Sequence, residues 1–298
     1  MDTLLLALAP ILATVATAAT PLLLAALGEL VTERAGVLNL GVEGMMLVGA
    51  VSGFIAGTSG AGWVGGAAVA ALAGAAFSLI FAVLVLFARA NQVASGLALT
   101  IFGVGLSALI GQGHVGEPFR GSPGAVLLGL DPFVLAALAA AVAIGLTLTR
   151  TRIGMVLRAV GENHDAAHAM GYPVVAIRIA AIAFGGAMAG LGGAYLSLVY
   201  TPMWSEGMTA GRGWIALALV VFAAWRPLRC VLGAYLFGGV AILELGLQGS
   251  GLLQVPPQIL AMLPYLATIA VLVWISARSG RGSLAAPGSL GRPFHPPG

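Results

Sequence analysis

The chain has 298 residues, 60% of them hydrophobic and 8% charged, with a formal net charge of +3. Soluble domains carry about 25% charged residues, so this composition excludes a soluble enzyme and defines an integral membrane protein. All thirteen positive charges are arginine and Cys230 is the single cysteine, which excludes a P-loop lysine, a Schiff-base site, an internal disulfide and a thiolate metal cluster.

Long apolar runs and 44 glycines predict an all-α polytopic transmembrane helical bundle. Small residues let helix backbones approach closely where lipid removes the usual hydrophobic drive, whereas a membrane barrel would need short alternating segments. A crossing takes about 20 apolar residues. The pattern predicts about nine spans, near residues 3–27, 42–58, 62–88, 92–112, 131–149, 176–199, 213–225, 229–247 and 258–277. The first reads as a retained span, because it lacks a positive n-region and is longer than a signal-peptide core.

Between the first two spans lies GELVTERAGVLNLGVEGMMLVGA, residues 28–50, with Glu29, Glu33, Arg34, Asn39 and Glu43. Ionisable residues and glycine breaks at membrane depth mark transport paths, which makes Asn39 and Glu43 candidates for a translocation path. The competing reading is a loop in which Glu43 or Glu33 pairs with Arg34 and Asn39 caps a helix. The fourth span opens NQVASG, and Gln92 and Ser95 either join that path or hydrogen-bond a neighbouring helix.

After the fifth span comes a polar island, residues 150–178, RTRIGMVLRAVGENHDAAHAMGYPVVAIR. Each Arg or Asp costs roughly 2.5 to 3.5 kcal/mol at a bilayer centre, so the island stays in water. Gly161 is expected to end one helix and Asn163 to cap a short second one, with Asp165 in its first turn and Gly171 and Pro173 after it. His164 and His168 stand four apart, but with no third ligand a zinc site gives way to solvated histidines. In the sixth span Gly186 and Gly190 form a close-packing face.

The loop TPMWSEGMTAGRGW, residues 201–214, carries Glu206 and Arg212, read either as ordinary surface or as docking residues for an extracytoplasmic partner. The seventh span, at 213–225, is short for a crossing and is expected to be broken or tilted. Glu244 is a lone acid in the eighth. The Gly/Pro/Ser-rich tail, residues 280–298, is predicted to be disordered, leaving residues 1–279 as the transmembrane domain.

Placing the island in the cytoplasm puts eleven of the thirteen arginines on that side, with Arg120 and Arg212 outside. The positive-inside rule then sets the N-terminus out and the C-terminus in. The arginines suit membrane topology, and no basic run with interleaved aromatics suggests nucleic acid. No nucleophile–base set or His/Cys cluster supports a membrane enzyme.

Residues 28–50, together with NQVASGLALTIFGVGLS, RAVGENHDAAHAMGYPVVAIRIAAIAFGGAMAGLGGAYLSL, GMTAGRGWIALALVVFAAWRP and MLPYLATIAVLV further on, resemble in order the permease subunits of ABC importers for nucleosides and related simple sugars, over roughly residues 25–275. The resemblance implies a type II ABC importer-like bundle in a bacterial plasma membrane. It assigns coupling to an ATPase subunit to Arg158, Gly161, Glu162, Asn163, Ala166, Ala167 and Gly171; His164 stands where the family often has proline. It also implies three partners: an ABC ATPase that binds ATP and Mg, a second permease subunit, and an extracytoplasmic substrate-binding protein. No cofactor is expected on this chain. The alternative function is a secondary transporter of a small polar solute, ion-coupled through Glu43 and Glu244.

Overall fold

A computed structural model describes residues 2–250 except 128, isolated positions between 256 and 273, and residues 286–295. The described residues form ten α-helices: α1 (Asp2–Arg34), α2 (Val42–Ala56), α3 (Gly62–Ala82), α4 (Gln92–Gly111), α5 (Pro132–Arg150), α6 (Arg152–Glu162), α7 (His164–Ala169), α8 (Val174–Tyr195), α9 (Arg212–Phe222) and α10 (Pro227–Ser250).

Among the described residues, six helical runs are long and apolar enough to cross a membrane. One of them, Val42–Phe87, contains the second and third predicted spans. Gly60 (φ 103°) and Gly62 (φ 64°) break its helical geometry between α2 and α3, a backbone that residues with a Cβ resist. The chain turns back there, so that Gly53 on α2 faces Gly66 and Ala70 on α3. The predicted seventh span is only the 11-residue α9, about 16 Å long at 1.5 Å per residue. The predicted ninth, 258–277, falls almost wholly outside the described residues.

Helix α8 is the hub of the bundle, packing on α1, α2 and α3. The reason is its glycines. Gly186 and Gly190 lie directly on α3 at Gly74 and Ala70, and Gly190 also meets Gly49 of α2. Gly193 sits on the backbone of Met46, and Gly185 faces Gly28 and Thr32 of α1. The Thr32 hydroxyl donates to the Ala181 carbonyl at 3.2 Å, adding a bond across the same seam. Backbone-to-backbone packing of this kind replaces the hydrophobic effect as the source of cohesion in lipid.

Because a Cβ at position 190 would strike the Ala70 backbone, Gly190→Val should cost more than the usual 1–3 kcal/mol of an overpacked core. Thermal unfolding in detergent should show a clear fall in midpoint. Gly105→Ala, at a position with nothing within 4 Å, should leave the midpoint unchanged.

Candidate functional site

Both half-length helices, α2 and α9, begin at Glu43. Its Oε1 accepts from the Thr209 hydroxyl (2.6 Å) and the Gly211 N–H (2.8 Å), and its Oε2 accepts from the Gly213 N–H (2.6 Å). The first N–H groups of a helix have no partner within it and carry its positive dipole end. A carboxylate at the start of α9 answers both needs. Gly211 (φ 82°) makes the entry turn, and a Cβ on Gly213 would meet the Glu43 backbone at 2.6 Å. Glu43 is therefore bound on both oxygens by the chain itself.

Residues 35–41, which lead from α1 to α2, are non-helical and mostly buried. Buried non-helical backbone needs partners for its polar groups, and neighbouring side chains supply several. The Asn39 N–H donates to Glu29 Oε1 (3.0 Å) and the Leu38 N–H to Gln92 Oε1 (2.8 Å). The Leu40 carbonyl accepts from the Thr100 hydroxyl (2.9 Å), and the Gly41 N–H donates to Asn39 Oδ1 (2.9 Å). Gly96 lets α4 press against Leu40, and Ser95 is buried close by on α4. Asn39, Glu43, Gln92 and Ser95 thus sit in one region. Asn39, Glu43 and Gln92 there serve the backbone, and none of the four lines the three cavities named below.

The loop before α9 enters the bundle alongside residues 115–119. The Gly116 N–H donates to the Trp204 carbonyl (3.0 Å) and the Phe119 N–H to the Pro202 carbonyl (2.8 Å). Glu206 is exposed, as a docking residue must be. Arg212 instead folds into the loop: its Nη1 donates to the Met208 and Thr209 carbonyls (3.2 Å each), and its guanidinium lies 5.6 Å from the Tyr200 ring. Thr209 carried no signal in the sequence beyond its nearness to glycines.

At the arginine-rich end, Glu33 and Arg34 do not pair with each other. Both hold the turn after α9: Trp225 Nε1 donates to Glu33 Oε2 (2.6 Å), and Arg34 Nε and Nη2 donate to the Trp225 carbonyl (3.2 and 3.0 Å). That turn needs holding, since Ala224 (φ 49°) and Trp225 (φ 55°) adopt left-handed backbone. Arg34 and Arg158 line cavities of about 720 and 370 Å³; Arg226 and Arg229 complete the larger and Glu162 the smaller. A third crevice of about 700 Å³ between α5, α6 and α8 is walled by Ile144, Leu148, Leu157, Phe184 and Met188.

The polar island folds as α6 and α7. Asn163 caps α7 as expected, its Oδ1 accepting from the Ala166 N–H (2.9 Å), and Gly171 closes it at φ 86°. Gly161 does not end a helix; it lies within α6, where a Cβ would strike the Arg34 carbonyl. Arg158, Glu162, Asn163, Asp165, Ala166, Ala169, Met170 and Gly171 are exposed, whereas Gly161 and Ala167 are buried.

Three expectations need correction here. His164 is not solvated. It is buried, its Nδ1 lying 3.1 Å from Arg178 Nη2. Because arginine only donates, Nδ1 must accept, which leaves the proton on Nε2, 3.5 Å from Asp165. Nor are residues 286–295 a free tail. Ser289 bonds to Gly161 and His164, Arg178 Nη1 donates to the Arg292 carbonyl (3.3 Å), and the Phe294 ring lies 5.3 Å from both His164 and His168. Composition misread this segment because one buried Phe and a few backbone bonds anchor it, and prolines reduce what ordering costs. Arg178 is fully buried and also donates to the Ala35 carbonyl (3.1 Å); the sequence grouped it with the solvated charges.

With this geometry in place, the comparisons identify the class. Residues 11–272 match the family described as branched-chain amino acid transport system / permease component, and the chain belongs to that family. It is a membrane-spanning permease subunit of an ABC importer, a transport component whose ATPase activity resides in a separate subunit. The ABC transporter permease protein TsgC13 of Haloferax volcanii is 43% identical over 92% of this chain and 93% of its own length. The nucleoside ABC transporter permease protein NupC of Lactococcus lactis subsp. cremoris is 32% identical over 85% and 88%. The guanosine ABC transporter permease protein NupQ of Bacillus subtilis is 34% identical over 88% and 90%. A second permease of each of the first two organisms, TsgB13 and NupB, aligns with 59% and 49% of this chain, so the family implies a second permease as well as an ATPase. No solved structure matches the chain.

Glu43→Ala leaves two backbone N–H groups and a hydroxyl without their acceptor. A loss of roughly 3 kcal/mol is expected for such a buried charged partner. It should appear as a lowered unfolding midpoint together with impaired uptake; normal values of both would contradict the capping role.

Burial and the Arg178 charge hold the His164 pKa below its ordinary value, with Arg292 and His295 acting in the same direction and Asp165 opposing them. A depressed histidine pKa stabilises the fold fully above the unfolded value of about 6.5, and that contribution is lost as pH falls below it. Between pH 7.5 and 5.5, proteolysis at residues 286–295 should therefore accelerate. His164→Gln, which keeps an acceptor for Arg178, should flatten the profile.

Proposed function

We propose that this chain forms one half of a two-permease importer for nucleosides or related simple sugars, working by alternating access. The similarity to NupC and NupQ over most of their length supports the substrate class. The paired relatives TsgC13 with TsgB13, and NupC with NupB, support pairing with a different chain. The arginine-rich end faces the cytoplasm, with the N-terminus outside, as the positive-inside rule requires. ATP and Mg bind the partner ATPase and no cofactor binds here.

Helices α6 and α7 form the coupling element. Exposed Arg158, Glu162, Asn163, Ala166 and Gly171 meet a cleft of the ATPase, while buried Gly161 and Ala167 seat the element on the bundle. The small alanine surface permits close contact with a groove. A substrate-binding protein docks outside near Glu206. Solute passes between the two permease halves, since Glu43, the acid an ion-coupled carrier would use, is held by α9.

The experiment is uptake by the reconstituted complex of permeases, ATPase and binding protein in proteoliposomes, comparing labelled guanosine and adenosine with glucose. Uptake of one class should require ATP and survive an ionophore. Glu162→Arg should lower uptake at least tenfold while ATP hydrolysis continues. Uptake that collapses with the ion gradient and ignores ATP would reject the reading.

A further inference from the structure

We propose that residues 286–295 act as a strap that sets the position of α7 on the bundle, with Ser289 and Phe294 as positioning residues. This rests on reading α6 and α7 as the coupling element. A helix of six residues, as α7 is, is far below the length at which an isolated helix holds together. It depends on what lies beneath it. The inner face of α7 contributes Ala167 to a small buried cluster with Val160 of α6, Val174 of α8 and Phe294. Phe294 is the member that reaches α7 from outside the island, with the rings of His164 and His168 packed edge-on against it.

Ser289 works at the junction between α6 and α7, where helix ends leave orphan polar groups. Its N–H donates to the Gly161 carbonyl (2.8 Å), satisfying the last turn of α6. Its hydroxyl oxygen accepts from the His164 N–H (3.2 Å), satisfying the first turn of α7, and donates to the Glu162 carbonyl at 3.4 Å. The junction is thus stitched by a residue more than 120 positions away in sequence.

Arg178 ties the strap to the bundle. One guanidinium reaches the Arg292 carbonyl in the strap, the His164 ring in α7 and the Ala35 carbonyl at the start of the segment leading to α2. Displacing α7 therefore disturbs the strap and the entry to α2 together. A tight strap lets force on α7 reach the bundle. A loose one lets α7 move alone.

The test is amide hydrogen exchange across residues 160–169, with transported solute per ATP hydrolysed, in the intact complex in lipid. Phe294→Ala and Ser289→Ala should each raise exchange there about tenfold and lower solute per ATP, with ATPase assembly unchanged. Phe294→Leu, which keeps an apolar plug, should restore most of both. Unchanged exchange in both alanine variants would overturn the strap. Raised exchange with solute per ATP unchanged would overturn its positioning role, provided Glu162→Arg uncouples in the same preparation. If Glu162→Arg leaves coupling intact, the coupling reading fails, and the exchange result still decides whether the strap holds α7. A chain ended after residue 285 provides a further arm, and the point variants carry the decision where it fails to insert.

Discussion

Buried backbone that leaves the helix has to find hydrogen-bond partners within the protein, and among the described residues two such interruptions meet at one carboxylate. One precedes α2 and the other precedes α9. Glu43 joins them, accepting from the start of α9 while standing in the first turn of α2. Glu29, Gln92 and Thr100 complete the service of residues 38–40. Acids and amides that would be costly as free groups in hydrocarbon are here the complement of peptide groups that would be equally costly alone.

Broken helices also limit how the bundle coheres. Neither α2 nor α9 is long enough to span by itself, so each is held by contact with full-length neighbours. The glycine seams of α8 bring α2 and α3 to backbone contact, and α1 supplies the side chains that grip both the residues before α2 and the turn after α9. Helix α1 thus carries Glu29 for the residues before α2 and Glu33 and Arg34 for the turn after α9.

A contiguous set of contacts runs from α7 through His164 and Arg178 to Ala35, and from there along residues 35–41 to Glu43 and α9. Coupling between distant sites is carried by packed and hydrogen-bonded groups of this sort when an element has two arrangements. Half-helices that meet at one carboxylate are a natural place for two arrangements. The coupling proposal and the strap proposal attach to the two ends of the same route.

Much of this was legible in the chain of residues. Apolar runs located the long helices, Asn163 and Gly171 marked the ends of α7, and the polar island announced a segment outside the hydrocarbon. The apolar pattern divided residues 42–88 into two spans at the place where Gly60 and Gly62 turn the chain back, and the short seventh run is the 11-residue α9. The tail was misread because composition averages over its nineteen residues, while residues 286–295 are held at single points by Phe294, Ser289 and the Arg292 carbonyl.

What the sequence determined by itself is chemistry counted along the chain: a membrane bundle, helix ends set by local caps, and nucleotide chemistry left to another subunit. These follow from transfer free energies and bonds between near neighbours. Only the tertiary structure decided which partners the buried polar groups find. Glu43 with Gly213, Gln92 with Leu38, Trp225 with Glu33 and Ser289 with Gly161 are pairs separated by 54 to about 190 positions. Such pairs form because a buried polar group is costly without a partner, a constraint that favours pairing and leaves the partner's identity to packing.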